Sequence, residues 1–296
     1  MAKLIYLVGL PGSGKSTFAK GYIERGYKVF SSDTIRAELY GDESVQDNPQ
    51  KVFNLLHKRV KDALRAGENC VYDATNVKSK TRIAFLNEIK NIPCTKECVI
   101  VWAPIEVCKE RNTARDRKVP DYVIEHMWRQ FETPYCFEGW DEIRLHISEN
   151  KKELFLNFTK NILNNYNFPQ DNSHHNLSLG EHCWQAFLKT KSNNPSVKFA
   201  AFYHDYGKLF TKTFNNRKGE LDVEAHYYDH QNVGAYETLI LPKDLDALKI
   251  SALICYHMHP YFWENNPKME EKYKHLWGED FYNDILLLHE ADLAAH

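Results

Sequence analysis

Hydrophobic and polar positions follow different rules in the two halves of the chain. In the first half, short apolar runs rich in β-branched and aromatic residues recur: "KLIYLVGL", "YKVFSSD", "NCVYDATN", "ECVIVWAP" and "WDEIRLHI". Each has the composition of a strand. Amphipathic stretches lie between them, among them residues 51–66 and 81–90, with the spacing of helices that bury one face. Strand–helix alternation with short turns predicts a parallel sheet flanked by helices. The alternation stops near Ile147. A charged helical segment, "SENKKELFLNFTKNILNNYN", and a polar stretch, "PQDNSHHN", follow, and from Leu179 onward the pattern is helical without strand alternation. The pattern predicts two domains, α/β over 1–148 and all-α over 149–296.

Composition narrows this. A length of 296 residues suits two cores better than one. The 43% hydrophobic and 26% charged fractions are those of an ordinary globular protein. A formal charge of −2 argues against a broad basic face laid along a duplex and leaves room for a local groove that grips a strand end. Seven scattered cysteines without a CxxC pair read as reduced core thiols. The first apolar run is too short to span a membrane and lacks the features of a signal peptide, so the expectation is a cytoplasmic protein with no membrane partner. Of the 14 histidines, most fall in the second half and hint at metal there.

The most specific chemistry is Gly9-Leu10-Pro11-Gly12-Ser13-Gly14-Lys15-Ser16-Thr17, which satisfies G-x-x-x-x-G-K-[ST] between a strand and a helix. In that context backbone N–H groups converge on phosphate oxygens. Lys15 would neutralise the β/γ-phosphates of ATP and Ser16 would hold Mg²⁺. The second strand ends in Asp33 and Arg36, the first placed to take the proton of an attacking hydroxyl, the second to grip a phosphate on the acceptor. The third ends in "YDATN", making Asp73 a carboxylate for Mg²⁺, with Thr75 and Asn76 beside it. "CKERNTARDRKVP" places Arg111 and Arg115 on one helical face, with Arg117 close by, as a basic lid over the transferring phosphoryl group.

In the second half, His and Asp recur in apolar helical settings: His182, then His204 and Asp205 in "FYHDYGK", His226 and His230, His257 and His259, and His289 and Asp292. One such histidine is commonly a core residue. Five segments offering imidazole or carboxylate instead suit a transition-metal site, and a cation would explain a His-Asp pair in an apolar run. Lys208, one helical turn from His204, is a candidate phosphate contact. His226 and His259 compete with their neighbours as ligands, His226 by a four-residue helical spacing from His230. His174 and His175 in "DNSHHN" suit a polar linker that lines the pocket at most.

Residues 1–145 resemble the 5′-hydroxyl polynucleotide kinases through "GLPGSGKST", D-x-x-R at Asp33 and Arg36, "DATN" at 73–76 and RNxxR at 111–115. That resemblance implies Asp33 as general base, Arg36 on the acceptor phosphate and Arg111 and Arg115 on ATP. The order H…HD…H…H…D over 175–296 resembles the HD-domain metallophosphohydrolases. It implies one metal on His182, His204, Asp205 and Asp292, and a second on Asp205, His230 and His257. "HQNVGA" fits that family's H-x-x-x-G-A at His230. The sequence runs four residues past Asp292, a shorter tail than the resemblance implies. Mn²⁺, Ni²⁺, Co²⁺ or Fe²⁺ would serve at this second site. Together the two resemblances imply a bifunctional enzyme of nucleic-acid ends, RNA ahead of DNA. It would phosphorylate a 5′-hydroxyl, hydrolyse a 2′,3′-cyclic, 2′- or 3′-phosphate, and leave sealing to a separate ligase. Two other readings are a nucleoside or small-metabolite kinase fused to an HD nucleotidase, and an ATP-sensing switch that gates the hydrolase.

Overall fold

The computed structural model describes every residue except 46, 115–117, 174–175, 264 and 296. The chain divides into two compact units, Met1–Trp128 with Pro134–Glu149, and Arg129–Thr133 with Asn150–His296.

The first unit runs β1 (Ala2–Val8), α1 (Lys15–Ile23), β2 (Lys28–Ser31), α2 (Ser32–Tyr40), α3 (Pro49–Arg65), β3 (Cys70–Asp73), α4 (Ser79–Ile89), β4 (Cys94–Trp102), α5 (Ile105–Thr113), α6 (Asp121–Arg129) and β5 (Glu142–Ile147). The strands pair in parallel in the order β2-β3-β1-β4-β5. β1 has Leu4, Ile5, Leu7 and Val8 at 0% exposure; a central parallel strand buried on both faces is continuously apolar for that reason. The order reverses around β1, and in such sheets ligands bind beyond the carboxyl ends of the strands next to the reversal. The turn after β1, the start of α2 and the end of β3 all lie at that edge.

A buried ion pair fixes the chain leaving β3. Arg82 and Glu138 are both fully buried and 2.6 Å apart, and Trp140 Nε1 donates to Glu138 at 2.9 Å. Arg82 Nη1 also donates to the carbonyls of Asn76 and Val77, at 2.9 and 3.0 Å. Asn76 itself sits in the left-handed region at φ 51°, and its amide donates to Leu7 O at 2.7 Å.

The second unit runs α7 (Lys151–Asn164), α8 (Leu179–Lys189), α9 (Pro195–Tyr203), α10 (Lys208–Thr211), β6 (Thr213–Asn215), β7 (Leu221–His226), α11 (His230–Thr238), α12 (Ala247–Tyr256), α13 (Pro267–Trp277) and α14 (Glu279–Leu293). Ser178 and Glu181 form a reciprocal capping box at the start of α8, which satisfies two helix-end donors. Val233, Tyr236, Ile250, Leu253 and Ile254 of α11 and α12 are fully or almost fully buried. The short stretch 129–133 joins this core: Phe131 packs edge-on to Tyr236 at 5.0 Å, and the hydroxyls of Thr133 and Ser251 meet at 2.6 Å.

The unit is helical but not all-α, because β6 and β7 form an antiparallel hairpin. The pattern concealed it for a physical reason. The apolar residues Leu221 and Val223 are 84% and 92% exposed, so alternation there does not report a buried face. Among the described residues no helix is long and apolar enough to cross a membrane.

Candidate active sites

In the first unit the turn from β1 to α1 carries Gly9, Pro11, Gly12, Ser13 and Gly14, and α1 opens with Lys15, Ser16 and Thr17. Gly12 is obligatory: its φ is +81°, and a Cβ there would lie 2.2 Å from Cys108 O. The turn is tied to β3 by Gly9 N–H donating to Thr75 O at 3.0 Å. Ser16 Oγ donates to Asp73 Oδ2 at 3.0 Å, so the hydroxyl and carboxylate expected to share Mg²⁺ already adjoin. Lys15 Nζ rests on Leu10 O at 2.7 Å. Gly12, Gly14, Lys15, Ser16, Thr17 and Arg111 line one hollow of about 270 Å³. Arg111 also pairs with Glu149 at 2.6 Å. Arg115 and Arg117 lie outside the described residues.

A second cavity, of about 390 Å³, adjoins this cradle through Lys15, Ser16 and Asp73 and also takes in Asp33, Arg36 and Phe53. Asp33 and Arg36 face each other at 2.7 Å, one helical turn apart on α2, so carboxylate and guanidinium enter the cavity as a unit. A nucleotide phosphate on the P-loop and a hydroxyl beside Asp33 would occupy neighbouring spaces.

In the second unit the structure brings together all six residues expected as ligands. His182 on α8 and Asp292 on α14 meet at 3.1 Å (Nε2 to Oδ1), and His204, just after α9, lies 3.3 Å from the same oxygen. Asp205 turns Oδ2 toward His182 and His204, at 3.4 and 3.5 Å. Its Oδ1 faces His230 on α11 and His257 after α12, at 3.2 and 3.9 Å. The donor atoms of His182, His204 and Asp292, and those of His204, Asp205 and His257, each fall within 4.8 Å of one another. His230 and Asp205 approach this closely because of Gly207, where a Cβ would stand 1.9 Å from His230 O.

The ring orientations test whether metal fits. Nδ1 of His204, His230 and His257 lies 2.7–2.8 Å from the carbonyls of Ala201, Tyr227 and Ile254. A carbonyl only accepts, so each Nδ1 carries a hydrogen, and a ring in its neutral form presents its lone pair at Nε2. The Nε2 atoms of His230 and His257 then face each other at 3.4 Å, with a carboxylate oxygen against them: three acceptors and no proton of their own to share. A cation among them resolves that contact, and the backbone partners are those that orient metal-bound imidazoles. The donor set of imidazoles and carboxylates fits first-row transition metals.

The two buried carboxylates set the electrostatics, and they are met by Lys208 and by protons on the imidazoles. Burial alone would push both carboxyls up, but Lys208, His204 and His230 hold Asp205 well below the usual carboxylate range, and His204 and His182 do the same for Asp292. Burial lowers His204 less than Asp205 and Asp292 raise it, to about 9. His257, buried beside His204 and His230, is pushed down to about 3.

Three residues absent from the sequence reading complete the centre: Gly207, Gln170 and Tyr261. Lys208 Nζ donates to Asp205 Oδ2 at 2.7 Å and to Gln170 Oε1 at 2.8 Å. Lys208 therefore positions the carboxylate while lining the adjoining cavity. Tyr261 donates to Asp292 Oδ2 at 2.8 Å. Only their neighbourhood in space reveals them.

The competing histidines separate. His226 lies on β7 rather than on the helix of His230, and pairs with Asp222 at 2.9 Å, outside the cluster. The four-residue spacing failed there because α11 begins only at His230. His259 is packed among Tyr256, Tyr273 and Trp277, and burial pushes it down to about 4, a neutral core ring. His289 packs edge-on against Tyr261 at 4.6 Å. His174 and His175 lie outside the described residues.

Residues 4–134 match the family model described as AAA domain. A stretch of 185 residues is 27% identical to the L-seryl-tRNA(Sec) kinase of Methanococcus maripaludis, covering 60% of this chain and 69% of that protein. Over 150 residues the chain is 27% identical to a protein of Acanthamoeba polyphaga mimivirus named for a bifunctional polynucleotide phosphatase/kinase, covering 48% of this chain and 32% of that one. Among solved structures, a chain of the Pnkp1/Rnl/Hen1 RNA repair complex is 23% identical with a TM-score of 0.40, covering 44% of this chain and 43% of that one. The N-terminal α/β unit thus carries a P-loop and is similar to an AAA domain and to a kinase sequence over that motif.

Proposed function

We propose that this chain repairs both ends of a broken polynucleotide, RNA ahead of DNA. In that reading the first unit transfers the γ-phosphate of ATP to a 5′-hydroxyl. The second hydrolyses a terminal 2′,3′-cyclic, 2′- or 3′-phosphate at an HD-type centre. The observation that carries it is the convergence of His182, His204, Asp205, His230, His257 and Asp292 in a chain whose other unit has an acceptor cavity beside its P-loop. The mimivirus relative, whose name joins a polynucleotide phosphatase and a kinase, supports it over the 48% of this chain that it matches.

At the kinase site the acceptor oxygen bonds to the γ-phosphorus as the β–γ bridging bond breaks and ADP leaves. Asp33 takes the hydroxyl proton, Arg36 holds the acceptor phosphate, and Lys15 with the P-loop amides carries the charge on the transferring group. Arg111, with Arg115, closes the phosphate side. At the second site Asp205 serves both ligand sets, Lys208 and Tyr261 hold the two carboxylates in place, and the backbone carbonyls fix three of the imidazoles. Divalent ions bound there supply the Lewis acidity that activates water and neutralises a leaving oxygen.

The test is an RNA carrying 5′-hydroxyl and 2′,3′-cyclic phosphate ends, incubated with ATP, Mg²⁺ and Mn²⁺, with both termini resolved. Lys15→Ala abolishes only the 5′ reaction and Asp205→Ala only the 3′ one. Likeness to the seryl-tRNA kinase over 60% of the chain favours a second reading in which the acceptor is a different hydroxyl. Phosphate appearing on a nucleoside, a metabolite or a seryl ester, and none on the RNA end, would establish that reading instead.

A further inference from the structure

A cavity of about 570 Å³ opens beside the His/Asp cluster, with Asp205, His230 and Asp292 among its lining residues. That volume lies within the ~300–1,000 Å³ range of small-ligand clefts and exceeds what a phosphate alone requires. The rest of the lining is rich in planar groups. The rings of His226 and Tyr228 stack 5.3 Å apart with their planes 9° from parallel. The Arg217 guanidinium stands 5.2 Å over the Tyr228 ring, and Asp222 holds His226 at 2.9 Å from the same hairpin. Tyr261 and Phe262 line this cavity too, and Phe262 is 62% exposed.

Flat aromatic side chains with a guanidinium plane, beside the His/Asp cluster and Lys208, match a nucleobase better than other occupants. A sugar calls for convergent hydrogen-bonding groups, and an acyl chain for a cavity without cations. We infer that this cavity is a nucleobase subsite: the base of the terminal nucleotide stacks against Phe262 and the guanidinium plane of Arg217, which Tyr228 backs, while its 2′- or 3′-phosphate reaches Lys208 beside the His/Asp cluster. Stacking tolerates any base, because every base has a π-face. The inference rests on the phosphohydrolase reading for what is cut, and on the cavity alone for what is gripped.

The probe is the phosphonate analogue of adenosine 3′-monophosphate in which a methylene replaces the bridging ester oxygen, so nothing can turn over. Its binding to full-length Mn²⁺-loaded protein is compared by calorimetry with that of ethylphosphonate, which has no base. A Lys15→Ala background silences the P-loop. The nucleoside phosphonate is expected to bind at least tenfold more tightly. Phe262→Ala and Arg217→Ala, both at exposed positions, should each weaken it about tenfold and leave ethylphosphonate unchanged, and the uridine analogue should bind within a fewfold of adenosine. Equal affinity for the two phosphonates, no binding by either, or indifference to both substitutions would overturn the subsite. Base-dependent binding in a protein that hydrolyses no RNA end keeps the subsite and removes the phosphohydrolase. Hydrolysis without base dependence does the reverse.

Discussion

Adding one methyl group at Gly207 should dismantle the His/Asp centre without touching any ligand. A Cβ there would stand 1.9 Å from His230 O, 2.7 Å from Gly234 N and 2.8 Å from His230 C, all backbone atoms that cannot swing aside. Reaching ordinary contact at 3.4 Å requires the start of α11 to retreat by roughly 1.5 Å. His230 moves with it, because its ring is fixed to that turn through Nδ1 and Tyr227 O at 2.8 Å. Metal–ligand distances tolerate only about 0.2 Å, and a misplacement near 1 Å costs on the order of 10²-fold in rate. Gly207→Ala should therefore lose the metal proposed for Asp205, His230 and His257 and at least ~100-fold of the proposed phosphate release. Overpacking should destabilise the second unit by about 1–3 kcal/mol, while 5′-phosphorylation is unaffected. The assay measures metal content by mass spectrometry and both end reactions on one preparation. A folded Gly207→Ala protein with full metal content and wild-type phosphate release would refute the reasoning.

Four further outcomes follow from the same geometry. Asp33→Asn should lower kcat for phosphorylation by about 10²–10⁴-fold with KM for ATP unchanged, as initial rates over an ATP series will show. Tyr261→Phe removes the hydrogen bond to Asp292 Oδ2 and should weaken metal binding about 10–100-fold in a competitive chelator titration. Glu138→Gln leaves the buried Arg82 without its anion and should cost about 3–5 kcal/mol, seen in calorimetry as a lower transition for the kinase unit only. Lys208→Met leaves the Asp205 carboxylate without its lysine, so the second unit's melting temperature should fall in chelator and recover on Mn²⁺ addition by more than the wild type gains.

How far the sequence reveals these sites depends on how local each one is. The phosphate cradle is one strand, one turn and one helix in direct succession, so its residues announce themselves by spacing. The His/Asp cluster is spread from His182 to Asp292, and only the recurrence of imidazole and carboxylate in apolar settings points to it. The residues that support it join positions far apart in the chain: Gln170 reaches Lys208 across 38 residues and Tyr261 reaches Asp292 across 31. Arg82 and Glu138, separated by 56, are invisible for the same reason. Spacing also misleads where the local period changes, as between His226 on β7 and His230 at the start of α11.

The pairing of Lys208 with Asp205 explains how a histidine and an aspartate are tolerated side by side in an apolar run. A buried carboxylate without a partner costs several kcal/mol, and Asp205 is only 3% exposed. Its Oδ2 has the ammonium of Lys208 at 2.7 Å, which offsets part of that cost. Oδ1 instead faces Nε2 of His230 and of His257, whose Nδ1 hydrogens go to backbone carbonyls on the far side of each ring. One oxygen thus has a lysine, and the other is met by imidazole nitrogens that donate when protonated and accept when neutral. In the proposed reading a cation takes the place of those protons beside Asp205, because imidazole and carboxylate together are a ligand set for first-row transition metals.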